Sequence, residues 1–278
     1  ADEEGDFDTG RELLERVVVL QEESRGPDHP ILVTTLNNLA VVMKNQGDYA
    51  AAIENCERAL AIGEKVHGPN HEEVGMVLTT LATAEINTED YDAAVTHLER
   101  AAEIYRSVYD SDHTSLAITL GNLSIVLSEI GDYAAAQQYL SEAREIFEKS
   151  LGPRHHFVAS CYHNEGIYLR ELGDYRAALP LVERGLEIRE EALGPDHPHV
   201  GDSMDELAII HDRLGDDESA EASFRRALEI REDKLGTDHP EYLQTLEAYA
   251  QFLRVAGRIR EAEEIEQNLP IKDTGDTS

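Results

Sequence analysis

The sequence predicts an all-α protein built as an α-solenoid, an array of stacked antiparallel helix pairs. A short segment with a histidine recurs six times at an interval of 42 residues, at 26–30, 68–72, 110–114, 152–156, 194–198 and 236–240. A second segment, mostly Gly-Asp-Tyr, recurs with the same interval at 5–7, 47–49, 89–91, 131–133, 173–175, 215–217 and 257–259. Two turn signals in every 42 residues leave room for two helices and no strand, so we expect thirteen helices.

The first complete repeat shows why both of its halves should be helical. The first half, 31–46, places Leu36 and Leu39 among apolar residues at helical spacing, and the second half, 49–67, does the same around Cys56. Apolar residues three and four positions apart line one face of a helix. The glycine of each turn segment suits a left-handed stop after the preceding helix.

The turn segments divide the chain in order. Residues 1–25 are expected to be the second helix of a repeat whose first helix is missing, because 5–7 aligns with the turn between the two helices of a repeat. A shortened, Glu-rich last helix is what a terminal cap needs, since its outer face meets water. The expected repeats are 26–67, 68–109, 110–151, 152–193 and 194–235, followed by a capping repeat at 236–269 and a disordered tail at 270–278.

Small residues occupy fixed columns through the array. One column is alanine at 52, 94, 136, 178, 220 and 262, and another small column lies at 40, 82, 124, 166, 208 and 250. With the Gly-Asp-Tyr turn and the length of 42 residues, these columns resemble the tetratricopeptide repeat (TPR), in the long-helix form found in kinesin light chains and many bacterial proteins. The resemblance implies a right-handed superhelix of antiparallel helix pairs.

The same resemblance implies a binding surface. In such superhelices the first helix of each repeat lines a concave groove, and in kinesin light chains asparagines of this helix hydrogen-bond the backbone of cargo peptides. Carried over by position, the groove residues are Asn37, Val41, Lys44, Thr79, Thr83, Asn122, Ile125, Ser128, His163, Asn164, Ile167, Arg170, Asp205, Ile209 and Arg213. The expected function is a non-catalytic scaffold that binds a peptide or protein segment, either basic or apolar, in this groove.

A second function stays open at this point. The chain could be a regulatory, sensor or oligomerisation arm of a larger signalling protein whose effector domain lies N-terminal to it, and self-association would then be one of its outcomes. The repeat serves many unrelated assemblies, so the fold alone does not choose between the two functions.

The composition excludes two classes of partner. The net charge is −33, from 57 acidic against 24 basic residues. Such an excess repels the phosphates of nucleic acids and of anionic membranes. Two explanations of the acidity stay open: recognition of a basic partner, or adaptation of the surface to high salt.

The cysteines indicate a reducing compartment. Cys56 and Cys161 lie two and a half repeats apart. In a stacked array they cannot approach to the ~4.4–6.8 Å Cα separation of a disulfide. We therefore expect two reduced thiols and a cytoplasmic location.

No catalytic or metal-binding constellation is predicted. The six aligned histidines stand in successive repeats, too far apart to share one ion, and we expect them to pack or hydrogen-bond at helix starts. A second group, His155, His156, Cys161 and His163, is too widely spaced on a helix for a common metal shell. We expect no enzyme activity, no cofactor and no metal.

Glu165 departs from its column, which holds leucine or tyrosine in the other repeats. A carboxylate in a packing position needs a partner or a raised pKa. Either the helix rotates and Glu165 reaches solvent, or Glu165 acts with His163 or Arg170 to bind a polar group of a ligand.

Overall fold

The computed structural model describes residues 2–109 and 112–267, with the backbone alone for residues 2–7. Within these residues there are thirteen α-helices and no strand, as the turn spacing predicts. The helices are α1 (Asp2–Arg25), α2 (Ile31–Asn45), α3 (Tyr49–His67), α4 (Glu72–Asn87), α5 (Tyr91–Val108), α6 (Thr114–Glu129), α7 (Tyr133–Leu151), α8 (His156–Glu171), α9 (Tyr175–Leu193), α10 (Pro198–Leu214), α11 (Asp217–Leu235), α12 (Pro240–Val255) and α13 (Ile259–Glu266).

Some predicted features lie outside the described residues. They are positions 110–111 of the third turn segment, 268–269 of the capping repeat and the tail at 270–278.

The turn expected at residues 5–7 is absent, and that prediction is wrong. α1 is continuous from Asp2 to Arg25. Residues 5–7 are helical and continue directly into the rest of α1.

Apart from the one at 5–6, each Gly-Asp segment ends one helix and begins the next. Gly47 has φ +80°, and its N–H donates to the Lys44 carbonyl at 2.9 Å while the Asp48 N–H donates to the Met43 carbonyl at 2.9 Å. The Asp48 carboxylate then accepts a hydrogen bond from the Ala51 N–H and caps α3. This pairing of a glycine stop with an aspartate cap satisfies backbone groups that a helix end leaves unpaired.

The recurring histidines begin the first helix of each repeat, as expected. In every one of the six, Nδ1 accepts a hydrogen bond from the backbone N–H two residues later, at 3.2–3.3 Å. The imidazole therefore supplies the acceptor that serine or aspartate supplies in other helix caps. The histidines are His29, His71, His113, His155, His197 and His239.

The chain divides into two compact units, residues 1–152 and residues 153–278. In unit 1 each of α1–α6 packs against the helix that follows it, and the first helices α2, α4 and α6 also contact one another in order. In unit 2 each of α8–α12 packs against the helix that follows it, and α8 contacts α10. Turns of two to five residues join these neighbours, which makes them antiparallel pairs.

The small columns lie where helices approach most closely. All six alanines of the first column are fully buried. At Gly185 a methyl group would lie 3.0 Å from the Ala159 carbonyl oxygen, and at Gly166 it would overlap Cγ2 of Val182. Side chains larger than these would force the paired helices apart.

Glu165 does not reach solvent, so the first of its two expected outcomes is wrong. Only 4% of the residue is exposed, as for the leucines of its column. A methyl group at the adjacent Gly166 would overlap Val182, so α8 and α9 lie close together beside Glu165.

Within the described residues neither cysteine forms a disulfide, and both Cys56 and Cys161 are buried. Burial raises the pKa of the Cys56 thiol to about 12, which makes it an inert core residue. Among the described residues, no helix combines the length and the apolar character needed to cross a lipid bilayer.

Candidate functional site

Eight of the predicted groove residues lie on the first helices of unit 1. We call this set the unit-1 face: Asn37, Val41 and Lys44 on α2, Thr79 and Thr83 on α4, and Asn122, Ile125 and Ser128 on α6. Ile125 is exposed, Asn37 is buried, and the other six are partly exposed.

Hydrogen bonds connect neighbouring helices across this face. The Lys44 ammonium on α2 donates to the Thr83 hydroxyl on α4 at 3.4 Å, and the Thr79 and Thr119 hydroxyls of α4 and α6 lie 3.1 Å apart. Asn37 is 4% exposed, and its side-chain oxygen has no hydrogen-bond partner among the described residues. The sequence analysis missed Thr119, although it stands in a column that also holds Thr35 and Thr245.

The unit-1 face is almost free of charge, although the chain carries a net charge of −33. Lys44 is the single charged member of the face. In α6 the first charged residue is Glu129, at the very end of the helix. The same helix exposes two isoleucines, Ile118 at 43% and Ile125 at 39%.

Gly121 lies on α6 between these two isoleucines. A methyl group added there would meet no atom within 4 Å. A glycine inside a helix costs about 1 kcal/mol relative to alanine. The packing of the chain itself therefore does not account for the glycine.

The remaining seven predicted groove residues lie in unit 2. This unit-2 face comprises His163, Asn164, Ile167 and Arg170 on α8 and Asp205, Ile209 and Arg213 on α10. Ile167 and Ile209 are partly exposed, Arg213 is exposed and His163 is buried.

The charges of the unit-2 face are paired within the protein. The Arg170 guanidinium lies 2.5 Å from the Glu206 carboxylate, and the Arg231 guanidinium lies 2.5 Å from Asp205 and 3.0 Å from Asp202. Burial raises the pKa of Asp205 to about 6, against the lowering effects of Arg231 and Thr245. A charged ligand would therefore have to compete with these ion pairs.

Two arginines anchor successive repeats in the same way, and the sequence analysis missed both. The buried Arg189 donates to the His199 carbonyl at 2.8 Å and to the Ser203 hydroxyl at 2.7 Å. Arg231, 42 residues later, donates to the Glu241 carbonyl at 3.0 Å and to the Thr245 hydroxyl. The recurrence of arginine and of a hydroxyl residue at that interval is the signal that predicts this structural role.

His163 is held neutral. Burial, together with the nearby Arg189, lowers its pKa to about 3, and within the part of the chain that the structure describes its Nδ1 has no hydrogen-bond partner. A metal site that includes this residue finds no support in the described part of the chain, since His155 caps α8 and Cys161 is buried in the core.

The comparison with protein families gives one match, repeated along the chain. A family model described as the tetratricopeptide repeat matches residues 3–50, 32–86, 76–149, 127–191 and 178–233. A search of curated proteins finds no match.

Solved structures resemble the chain over most of its length. BtubC (BKLC) from P. vanneervenii has 24% sequence identity and a TM-score of 0.69, with 85% of this chain and 92% of that chain covered. A putative kinesin light chain from P. anserina, with nearly identical TPR-like repeats, has 23% identity and a TM-score of 0.65, with 74% and 98% covered. The apo form of RapI has 17% identity and a TM-score of 0.67, with 91% and 86% covered. At these identities the likeness shows the fold.

Proposed function

Because the chain belongs to the tetratricopeptide repeat family, we propose that it is a non-catalytic scaffold that binds a segment of another protein on its unit-1 face. Repeats of this family commonly mediate contacts between proteins. The proposal goes further, since it assigns the surface and the chemistry of the bound segment.

The observation that carries the proposal is the lack of charge on the unit-1 face. Elsewhere the chain is strongly acidic, with a net charge of −33, yet α6 reaches Glu129 before it meets a charge. Ile118 and Ile125 are exposed on that helix. Exposed apolar side chains grouped on one helix face are typical of a binding surface.

Gly121 supports close approach of a partner. The open space above it, between two exposed isoleucines, lets a backbone or a side chain contact the main chain of α6 directly. Gly121 lowers the helix propensity of α6, and no packing contact within the described residues requires a glycine there.

The polar groups of the unit-1 face suit the backbone of an uncharged segment. Asn122 is partly exposed beside Gly121, and an amide side chain both donates and accepts hydrogen bonds. Thr79 and Thr83 add hydroxyl groups on the neighbouring helix. A bound segment would be held by apolar contacts and neutral hydrogen bonds, so its affinity should depend little on salt.

The unit-2 face is the weaker candidate. Arg170 and Asp205 already have charged partners at 2.5 Å, and a charged ligand would have to displace them. Together with the few charges of the unit-1 face, these pairs support an apolar rather than a basic partner.

Selection of peptides from a random display library tests the proposal. Peptides that bind the wild-type protein should bind Ile125→Asp about tenfold more weakly or worse, because the carboxylate repels an apolar segment. The matched control is Val66→Asp, since Val66 is 42% exposed on α3, a second helix. Binding to the control, and binding at high salt, should be unchanged. Peptides that bind Ile125→Asp as tightly as wild type, or basic peptides that high salt releases, would contradict the proposal.

A cytoplasmic location is part of the same proposal. It is supported by the two buried cysteines, neither of which forms a disulfide within the described residues, as fits a reducing compartment. Alkylation of protein denatured directly from its source cells should modify both thiols, whereas an oxidised thiol would contradict it.

A further inference from the structure

His67, His71 and Glu73 meet at the junction between α3 and α4. His67 is the last residue of α3, His71 caps α4 and Glu73 lies in the first turn of α4. One ligand atom from each of the three side chains lies within 4.8 Å of the other two, and His67 Nε2 lies 2.9 Å from a Glu73 carboxylate oxygen. Within the described part of the chain, this is the one group of three or more such side chains that is close enough to share an ion.

We propose that these three side chains bind a divalent transition-metal ion, with Zn²⁺ as the best match. Two imidazoles and one carboxylate form a donor set that zinc accepts, and water would complete a tetrahedral shell. Mg²⁺ and Ca²⁺ prefer oxygen ligands, so the two imidazoles disfavour them.

The surroundings favour a cation. Within the described residues, the Glu73 carboxylate has as partners His67 and the Thr34 hydroxyl, at 3.3 Å, and no lysine or arginine. Thr34 can orient the carboxylate as an outer-shell group. His67 stands at the C-terminus of α3, where the helix dipole favours positive charge. The His67 and Glu73 side chains are 25% and 30% exposed, so an ion can reach them.

Ion binding requires a local rearrangement. The rings of His67 and His71 stack with centroids 4.4 Å apart, and His71 Nδ1 accepts the Glu73 N–H at 3.3 Å. For both rings to direct a nitrogen at one ion, ~2.0–2.1 Å away, at least one must turn out of the stack. Ion binding therefore competes with the stacking of the two rings and, where the His71 ring turns, with the hydrogen bond from the Glu73 N–H to its Nδ1.

Equivalent positions in other repeats show that packing alone does not require these three residues. In the next repeat Tyr109 stacks on His113 with centroids 3.7 Å apart, and Ser115 stands in place of Glu73. In the last repeat the three positions hold Leu235, His239 and Glu241. Neither of these repeats combines all three donors.

Titration of the metal-free full chain with Zn²⁺ by calorimetry, and with Co²⁺ by visible absorption, tests the site. Excess Mg²⁺ in the buffer would mask diffuse binding to surface carboxylates. The test variants are His67→Leu, which introduces the residue found at 151, 193 and 235, and Glu73→Gln. The matched control is Glu241→Gln. Glu241 also lies in the first turn of a helix that a histidine caps, but Leu235 stands there at the position of His67.

The expected result is one saturable site with the Co²⁺ absorption of a tetrahedral complex. Each test variant should weaken binding by about tenfold or more, while Glu241→Gln should bind like wild type. Acid should weaken binding, because a metal ion binds the unprotonated form of its ligands and protons compete with it. Circular dichroism confirms that the variants are folded. Binding that Mg²⁺ abolishes, or that His67→Leu retains in full, would overturn the proposal and leave the histidine pair as a packing and capping device.

Discussion

Glu89 adopts a backbone conformation that suits glycine. Its φ is +61°, and the equivalent turn positions in the other complete repeats are Gly47, Gly131, Gly173 and Gly215. A left-handed conformation costs a residue with a Cβ about 1–2 kcal/mol. We expect Glu89→Gly to raise the free energy of unfolding by about 1 kcal/mol in urea denaturation. Glu89→Ala keeps the Cβ and is the control, and an equal gain in both variants would trace the effect to the lost charge instead.

His163 should make the protein sensitive to mild acid. Burial and Arg189 lower its pKa to about 3, whereas in the unfolded chain it titrates near 6.5. Below pH ~6.5 the unfolded state therefore binds a proton that the folded state does not, and stability falls as the pH drops toward 3. Asp205, with a raised pKa of about 6, has the opposite effect between about 6 and 3.8.

Comparison with His163→Asn isolates this contribution, because Asp205 and Asp202 are present in both proteins. Between about pH 7 and pH 5 the free energy of unfolding of the wild type should fall by about 2 kcal/mol more than that of the variant. Chemical denaturation at the two pH values measures it. Parallel pH profiles would mean that His163 is protonated in the folded protein.

Single residues were predictable where the repeat fixes their role. The capping histidines follow from their interval of 42 residues, since each stands just before an apolar helical pattern. The burial of Glu165 was not predictable from the sequence. It goes with the close packing of α8 on α9 at Gly166 and Val182, which lie sixteen positions apart on two different helices. The cluster of His67 with Glu73 was likewise missed, although both flank the aligned His71.

At the scale of the helix, two glycines inside the first helices of their repeats should respond oppositely to the same change. Gly121→Ala should stabilise the protein by about 0.5–1 kcal/mol, because α6 gains helix propensity and the methyl group meets nothing within 4 Å. Gly166→Ala should destabilise it by about 1–3 kcal/mol, because the methyl group overlaps Val182 and overpacks the α8–α9 contact.

Urea denaturation of both variants measures this difference, with Gly10→Ala as a control for propensity alone, since Gly10 on α1 is equally open. A loss of stability in Gly121→Ala would show that the space above α6 is occupied in solution.

Helix number and type follow from the sequence because each turn carries its own stop and start signals. α1 is the exception, since the helix runs through the segment at 5–7 without a turn. The groove residues were placed on the first helices by the family pattern alone. Which part of that surface is charged, paired or open depends on contacts between repeats, as Arg231 with Asp205 illustrates.

For the whole molecule, the net charge of −33 should make stability depend on salt. Like charges repel one another in the compact state, and salt shortens the range of that repulsion from about 30 Å at 0.01 M to about 8 Å at 0.15 M. We expect the thermal unfolding temperature to rise over this range of NaCl, measured by circular dichroism. A fall would show that the ion pairs, which salt also weakens, outweigh the repulsion.

Polar contacts between repeats recur at nearly constant separations along the chain. Arg100 pairs with Glu64 and Arg106 with Glu142, each 36 residues apart, while Lys65 pairs with Asp28, 37 residues apart. Each helix cap likewise lies within two or three residues of the N–H that it binds. An unequal crossover that removes or duplicates 42 codons would therefore leave every cap and every such contact in register. The number of repeats is free to change over generations, while the length of one repeat is not.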